Sequence, residues 1–176
     1  MRIACLVGVL VLGLSLPAFA QFAPAFELSA GYSLLRDEDQ DFHGWVASGA
    51  VHLSRWIGVV GEAGGNYATL RAFTTDIDFS VHSFLGGARV SVPLGSRVTP
   101  FGQCLVGAVR LGARAFDETY AETRLAVQPG AGVDVWVRPT IGVRVGGDYR
   151  RVRRDQGWGI EEVRLHIGVV VRPGRH

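Results

Sequence analysis

His52-Leu53-Ser54, with Glu62 eight residues further on, places an imidazole, a hydroxyl and a carboxylate within one short stretch. Such a set can run acyl-transfer chemistry: the carboxylate orients the histidine, and the histidine takes the proton of an attacking serine. All three residues share the same parity, so extended strands would carry them on one face. Against this reading, His-x-Ser is a weak signal by itself, and Ser54 adjoins a tight turn at Ser54-Arg55. A second set is larger. Glu62, Arg89, Arg110, Asp134, Arg144, Asp148 and Arg164 fall on the polar parity of successive alternating runs. Charges gathered into one interior could gate a pore, pass protons, or neutralise one another. Burial favours the last, because an unpaired buried charge is strongly destabilising. A structural ion-pair network is therefore the expected role. His82, His166 and Cys104 are scattered, without metal-ligand spacing. No metal or cofactor is expected.

The elements that must position these residues are clearest over residues 128–150, Q-P-G-A-G-V-D-V-W-V-R-P-T-I-G-V-R-V-G-G-D-Y-R. Two runs meet there at a short turn, Val137-Arg138-Pro139-Thr140. In the first, Val127, Pro129, Ala131, Val133 and Val135 oppose Gln128, Gly130, Gly132 and Asp134. In the second, Ile141, Val143, Val145, Gly147 and Tyr149 oppose Gly142, Arg144, Gly146, Asp148 and Arg150. One face is apolar; the other alternates glycine with charge. A soluble sandwich also alternates in this way. Small residues interleaved with unlike charges fit a narrow interior better, as in a small transmembrane β-barrel whose apolar face meets lipid.

The start of the chain supports export. Met1-Arg2 supplies a positive charge, an apolar run extends from Ile3 to about Leu16, and Pro17-Ala18-Phe19-Ala20 ends in an A-x-A site. Residues 1–20 read as a cleavable secretory signal peptide, whose apolar core falls short of the ~20 residues a spanning helix needs. Residues 21–176, about 156 in number, then make one domain. Cys5 leaves with the signal, so Cys104 has no intrachain disulfide partner. Without Arg2, 17 basic residues face 16 acidic ones, a net charge of about +1 that gives no support to nucleic-acid binding. Beyond Gln21 no apolar run approaches a spanning helix. Membrane entry would require a closed barrel, since an open sheet leaves backbone groups unpaired in lipid.

About eight alternating runs follow in order. In the first, Phe26, Leu28, Ala30, Tyr32 and Leu34 oppose Glu27, Ser29, Gly31 and Ser33. The second sets Trp45, Ala47, Gly49, Val51 and Leu53 against Ser48, Ala50, His52 and Ser54. The third carries Glu62, Gly64 and Asn66 on its polar parity. The fourth slips phase near Ser83, which suggests a bulge. The fifth is read with Val109 and Leu111 outward and Cys104, Arg110 and Arg114 inward. The paired runs already described are sixth and seventh. In the eighth, Val163, Leu165, Ile167, Val169 and Val171 oppose Glu162, Arg164, His166, Gly168 and Arg172. Longer polar connections at 36–43, 70–78, 115–121 and 153–159 alternate with short turns. An even strand number with that alternation is the pattern of bacterial outer-membrane barrels.

The whole mature chain resembles the small eight-stranded outer-membrane barrels of the OmpA-type and opacity-protein superfamily. The resemblance rests on Phe84-Leu85-Gly86-Gly87-Ala88-Arg89-Val90, Thr99-Pro100-Phe101-Gly102, and Gly130-Ala131-Gly132-Val133-Asp134 followed by Ile141-Gly142-Val143-Arg144. It implies an all-β, eight-stranded antiparallel up-and-down transmembrane barrel in a Gram-negative outer membrane, with the interior plugged by charge. Because Gln21 begins inside the periplasm and the strands are even in number, both termini are expected to be periplasmic. The resemblance further implies a monomer in contact with outer-membrane lipid and lipopolysaccharide, inserted by the outer-membrane assembly machinery. Such barrels usually end on an aromatic residue read by that machinery. Here Val171-Arg172 is followed by Pro173-Gly174-Arg175-His176, which points to weaker insertion or to an internal signal. His52, Ser54 and Glu62 also resemble, more distantly, the arrangement of outer-membrane lipid A deacylases. The Asn that follows the serine there is replaced by Arg55. The expected function is non-enzymatic: a structural, adhesive or surface-interaction role. A lipid-modifying enzyme and a narrow channel are the alternatives.

Overall fold

Alternation of apolar and polar side chains leaves every strand with two unlike faces, and a ring of such strands buries one while presenting the other to lipid. The computed structural model describes residues 26–37, 40–72, 75–115, 118–154 and 157–173. The expected signal peptide, 1–20, and the last residues, 174–176, lie outside them. The strands are β1 (Phe26–Asp37), β2 (Gln40–His52), β3 (Ile57–Ala72), β4 (Thr75–Ser91), β5 (Val98–Ala115), β6 (Glu118–Arg138), β7 (Ile141–Arg154) and β8 (Gly157–Val171). They form a closed barrel in sequence order. β1 and β8 seal it antiparallel, from Leu28↔Val171 to Arg36↔Val163. Closure leaves no strand edge unpaired, the condition for placing backbone in hydrocarbon.

Both described chain ends lie at one end of the barrel, with the short turns at 53–56, 92–97 and 139–140. This is the short-turn end. Gly95 in the second turn has φ of 70°, which glycine adopts without strain. The other end carries the long hairpins. The polar segments expected there as loops are mostly paired strand: Arg36 lies opposite Asp41, Arg71 opposite Asp76 and Ala115 opposite Glu118. Their polarity marks emergence from the apolar band rather than the end of pairing, because strands need no apolar face once in water.

The outer face carries Leu28, Val59, Phe84, Val106, Val145, Leu165 and Val169, all exposed. Tyr32, Trp45, Tyr67 and Tyr149 follow toward the long-hairpin end, and Phe26 and Trp56 stand at the other. An apolar belt between aromatic girdles is the outer surface of a transmembrane barrel. Tyr32 hydrogen-bonds His43, and Tyr67 Oη meets His82 Nε2 at 3.2 Å, tying neighbouring strands within the outer girdle.

Two readings of side-chain direction are corrected. β4 shows no slip at Ser83: its register with β3 and β5 runs unbroken from Asp78 to Val90, with Val81, Ser83, Leu85 and Arg89 all buried. The shifts lie instead at Trp136/Arg138 and Val152/Arg153. β5 is inverted relative to expectation. Phe101, Gln103, Leu105 and Val109 are buried, while Cys104 and Arg110 are exposed on the outer face. Leu105 and Val109 of β5 belong to a cluster with Leu35, Val81, Ala126 and Val152, against which Phe42 and Leu111 pack. Leu35, Val81, Val109, Ala126 and Val152 of that cluster lie toward the long-hairpin end, while Ala50 and Val60 lie near the short turns, beside Glu27.

Candidate functional site

The rest of the interior is polar and buried. Neighbouring strands bring opposite charges level with one another. Asp134 on β6 lies directly opposite Arg144 on β7, and Asp148 on β7 opposite Arg164 on β8. The Arg144 fork donates to both Asp134 oxygens, at 2.7 and 2.8 Å. Arg144 also pairs with Glu27, and its Nη1 donates to Ser29 Oγ at 3.1 Å. Arg164 donates to Asp148 at 2.6 Å and to Glu62 at 2.7 Å. The Arg144–Asp134 pair is bidentate, the strong and geometrically defined kind, whereas Arg164 directs Nε and Nη2 to a single Asp148 oxygen.

The pairs join into one path through the barrel. Arg172 reaches Glu27 at 3.1 Å, and Glu27 accepts from Arg89 at 3.0 Å. Arg89 donates twice to Gln103, whose amide reaches Asp148 at 3.3 Å. Asp148 leads through Arg164 to Glu62, which accepts from Gln128 at 3.0 Å. Gln128 accepts from Arg150 at 2.8 Å, and Arg150 donates to Glu162 at 3.2 Å, just beneath the apolar cluster. The guanidinium groups of Arg89 and Arg144 lie 4.5 and 4.7 Å from the Phe101 ring centroid, and both share Glu27 beside that ring. Arg150 and Arg164 are 0% exposed. Burial this complete is tolerable only because the carboxylates Glu27, Glu62, Asp134, Asp148 and Glu162 are matched one for one by Arg89, Arg144, Arg150, Arg164 and Arg172.

Of the residues nominated from sequence, Glu62, Arg89, Asp134, Arg144, Asp148 and Arg164 meet in this interior. Arg110 does not. It lies on the outer face of β5 beyond Val106, toward the long hairpins, where solvent or lipid headgroups rather than hydrocarbon receive its charge. Glu27, Gln103, Gln128, Arg150, Glu162 and Arg172 were not nominated. The available signal was pairing as well as parity: Arg150 stands opposite Glu162 in the β7–β8 hairpin as Asp148 stands opposite Arg164.

The possible nucleophile is not assembled. Ser54 Oγ accepts the backbone N–H groups of Trp56 and Ile57 at 3.3 and 3.1 Å, bracing the turn. Glu62 is held by Arg164 and Gln128 deeper in the barrel, opposite Ser48 rather than His52. His52 is buried at the short-turn mouth. Among the described residues, no group of three His, Cys, Asp or Glu side chains could hold a metal ion.

The short-turn mouth remains open as a cavity of about 700 Å³. Its floor is Trp136, whose indole N–H donates to Thr99 Oγ1 at 3.1 Å and whose ring lies 3.8 Å from the Arg172 guanidinium.

Solved structures and a family model share this geometry. The barrel is similar to Ail, the attachment invasion locus protein of Yersinia pestis, solved with the heparin analogue sucrose octasulfate. That match has a TM-score of 0.61 and 16% identity, and covers 86% of this chain and 99% of that one. Neisserial surface protein A gives a TM-score of 0.64 at 14% identity, over 85% of this chain and 96% of that one. The N-terminal β-barrel domain of Pseudomonas aeruginosa OprF gives 0.59 at 11%, over 85% and 99%. At such identities these likenesses establish the fold alone. No curated protein sequence matches the chain. A family model, the outer membrane protein beta-barrel domain, matches residues 6–172. With the closed eight-stranded barrel and its lipid-facing belt, that match makes the chain a member of the outer membrane protein beta-barrel domain family, an integral protein of the bacterial outer membrane.

Proposed function

We propose that the protein is a non-enzymatic surface-interaction protein, a plugged barrel that mounts paired hairpins outside the membrane. The observation that carries this reading is the length of the paired strands above a filled interior. A tilted strand needs ~9–11 residues to cross the apolar core, whereas β4, β5 and β6 run for 17, 18 and 21 residues. The surplus is at the long-hairpin end, where outward-facing Arg36, Asp41, Arg110, Arg151 and Arg153 replace apolar side chains. Rigid scaffolds that hold exposed segments in place are where binding concentrates. Below them, among the described residues, the interior holds packed apolar groups and paired ions, which favours a plug over a channel. Both termini are then periplasmic and the hairpins face outward from the cell.

Two kinds of contact suit that surface. The exposure of Arg110, Arg151 and Arg153 supports contact with lipopolysaccharide phosphates, which guanidinium forks match in charge and shape. A sulfated polysaccharide is the first external ligand to test, because the Yersinia barrel of the same architecture was solved with a heparin analogue. The test is adhesion of cells expressing the protein to immobilised heparin, with Arg151→Gln and Arg153→Gln combined in one variant. Adhesion that depends on expression and falls in the variant supports the reading. Conductance in planar bilayers would replace it with a channel, and a change in lipid A lost on His52→Ala would replace it with an enzyme.

A further inference from the structure

The short-turn mouth collects arginines from four separate places in the chain. Arg55 comes from the turn after β2, Arg97 from the turn after β4, Arg138 from the end of β6 and Arg172 from the residue after β8. All four line the same cavity of about 700 Å³, and no carboxylate lines it among the described residues. Backbone hydrogen bonds fix these positions relative to one another. Trp136 N–H donates to the Arg97 carbonyl at 2.7 Å, and Arg172 N–H donates to the Thr140 carbonyl at 2.9 Å. The mouth is therefore a built concavity rather than a set of loose side chains.

Apart from Arg172, its charge is not used by the interior network. The interior network balances once Arg172 is counted against Glu27, so Arg55, Arg97 and Arg138 are surplus. None of these three has a carboxylate partner among the described residues, and all three are exposed. Like charges brought together around a recess repel one another, and an anion seated among them relieves that repulsion. The Trp136 floor, capped by the Arg172 guanidinium, lowers the local dielectric beneath such an anion and strengthens its attraction to the arginines.

We propose that this mouth is a phosphate-binding vestibule. The ligand class is a phosphate ester small enough to enter the cavity, gripped by guanidinium forks from at least Arg97 and Arg138. Planar forks suit tetrahedral phosphate oxygens in pairs, as the point charge of a lysine would not. The phosphate can come from an anionic phospholipid headgroup in the adjacent leaflet or from a soluble phosphate ester. The same arginines serve both.

The test uses the full mature protein in phosphatidylcholine nanodiscs, titrated calorimetrically with inorganic pyrophosphate at low and high salt. A parallel sample in nanodiscs containing phosphatidylglycerol is examined by native mass spectrometry for retained lipid. Binding is expected in at least one arm, weakening as salt screens the exposed arginines. Arg97→Gln combined with Arg138→Gln should weaken it by about tenfold or more. Replacing the same residues by Lys should restore only part of the loss. The doubly substituted protein should keep the wild-type heat shift on gels, since both side chains are exposed; Arg55→Gln alone provides a second, milder variant. Pyrophosphate binding without lipid retention assigns a soluble ligand, and retained phosphatidylglycerol assigns a headgroup. Absence of both, or binding unchanged in both glutamine variants, overturns the proposal.

Discussion

Removing Arg144 should damage the barrel more than removing Asp134, although the two form a single pair. Arg144 is the only side-chain partner of Asp134 among the described residues, through hydrogen bonds of 2.7 and 2.8 Å. Arg144→Ala therefore leaves a carboxylate that is 2% exposed without its hydrogen-bonding partner. Breaking a buried pair in that way costs about 3–5 kcal/mol. Asp134→Ala is milder. Arg144 keeps Glu27 and Ser29, so the loss is nearer that of hydrogen bonds to a charged group, about 1.5–3 kcal/mol. Glu27 meanwhile tolerates loss of Arg144 because Arg89 and Arg172 remain, at 3.0 and 3.1 Å. In the double mutant no orphaned carboxylate survives, and the combined loss should fall short of the sum by about 1–3 kcal/mol. The assay is the temperature at which the folded, faster-migrating band converts to the unfolded one on a gel. Urea unfolding in lipid vesicles supplies the free energies. Strictly additive losses would show that the two residues act independently. A gain in stability from either single change would mean that the charges face lipid, and the inside–outside assignment of this hairpin would be wrong.

Other consequences can be checked with the same protein. Arg110→Ala should shift stability by no more than ~0.5 kcal/mol, as for an exposed side chain, whereas Arg89→Ala should cost several times that; equal losses would return Arg110 to the interior. Cysteine placed at Arg153 in a Cys104→Ser background should react with impermeant reagents in intact cells, and cysteine at Ser96 only after permeabilisation; the reverse would invert the orientation. At the β1–β8 seam Gly31 faces Gly168, and a Cβ added at Gly168 would lie 2.7 Å from the Gly31 Cα. Gly168→Ala should lower the gel transition by an amount equivalent to about 1–3 kcal/mol, the usual cost of overpacking; an unchanged transition would show that the seam has slack.

The barrel was legible wherever the two faces of a strand differ in chemistry. β6 and β7 alternate valine with glycine and charge, so Asp134, Arg144 and Asp148 can be assigned to the interior from parity alone. β5 has no such contrast. Its stretch from Gln103 to Leu111 is small or apolar on both parities apart from Gln103 and Arg110, and the charge of Arg110 drew the whole strand into the wrong phase. The rule that charge points inward holds only within the hydrocarbon band. Past the aromatic girdle the outer face meets headgroups and water, and Arg110 is free to point there. The apparent slip at Ser83 has the same origin: Val81 and Leu85 are apolar yet inward, because they join the cluster around Val109. The mouth arginines were invisible for another reason. They come from separate turns, and only barrel closure brings them around one cavity.

Why the interior carries ion pairs, when hydrophobic packing is often as stable or more so, follows from what a strand must avoid. A strand apolar on both faces does not specify which face is inside, and a slip of one residue reverses every side chain. Here each slip would move Asp134, Asp148 or Arg164 into lipid and separate it from a partner on the neighbouring strand. The pairs Asp134–Arg144 and Asp148–Arg164 lie directly across from each other, so they fix the registers of β6 with β7 and of β7 with β8. Arg89 and Glu27 act across the barrel rather than between adjacent strands, joining β4 to β1 through the interior. β5, whose described side chains include no buried charge, is flanked by strands that contribute one, and Arg89 reaches across to its Gln103 at 2.8 Å. Its apolar inner face is then safe, since its neighbours have already fixed the register. Charge is concentrated where phase must be specified, and apolar packing fills the end of the barrel where it need not be.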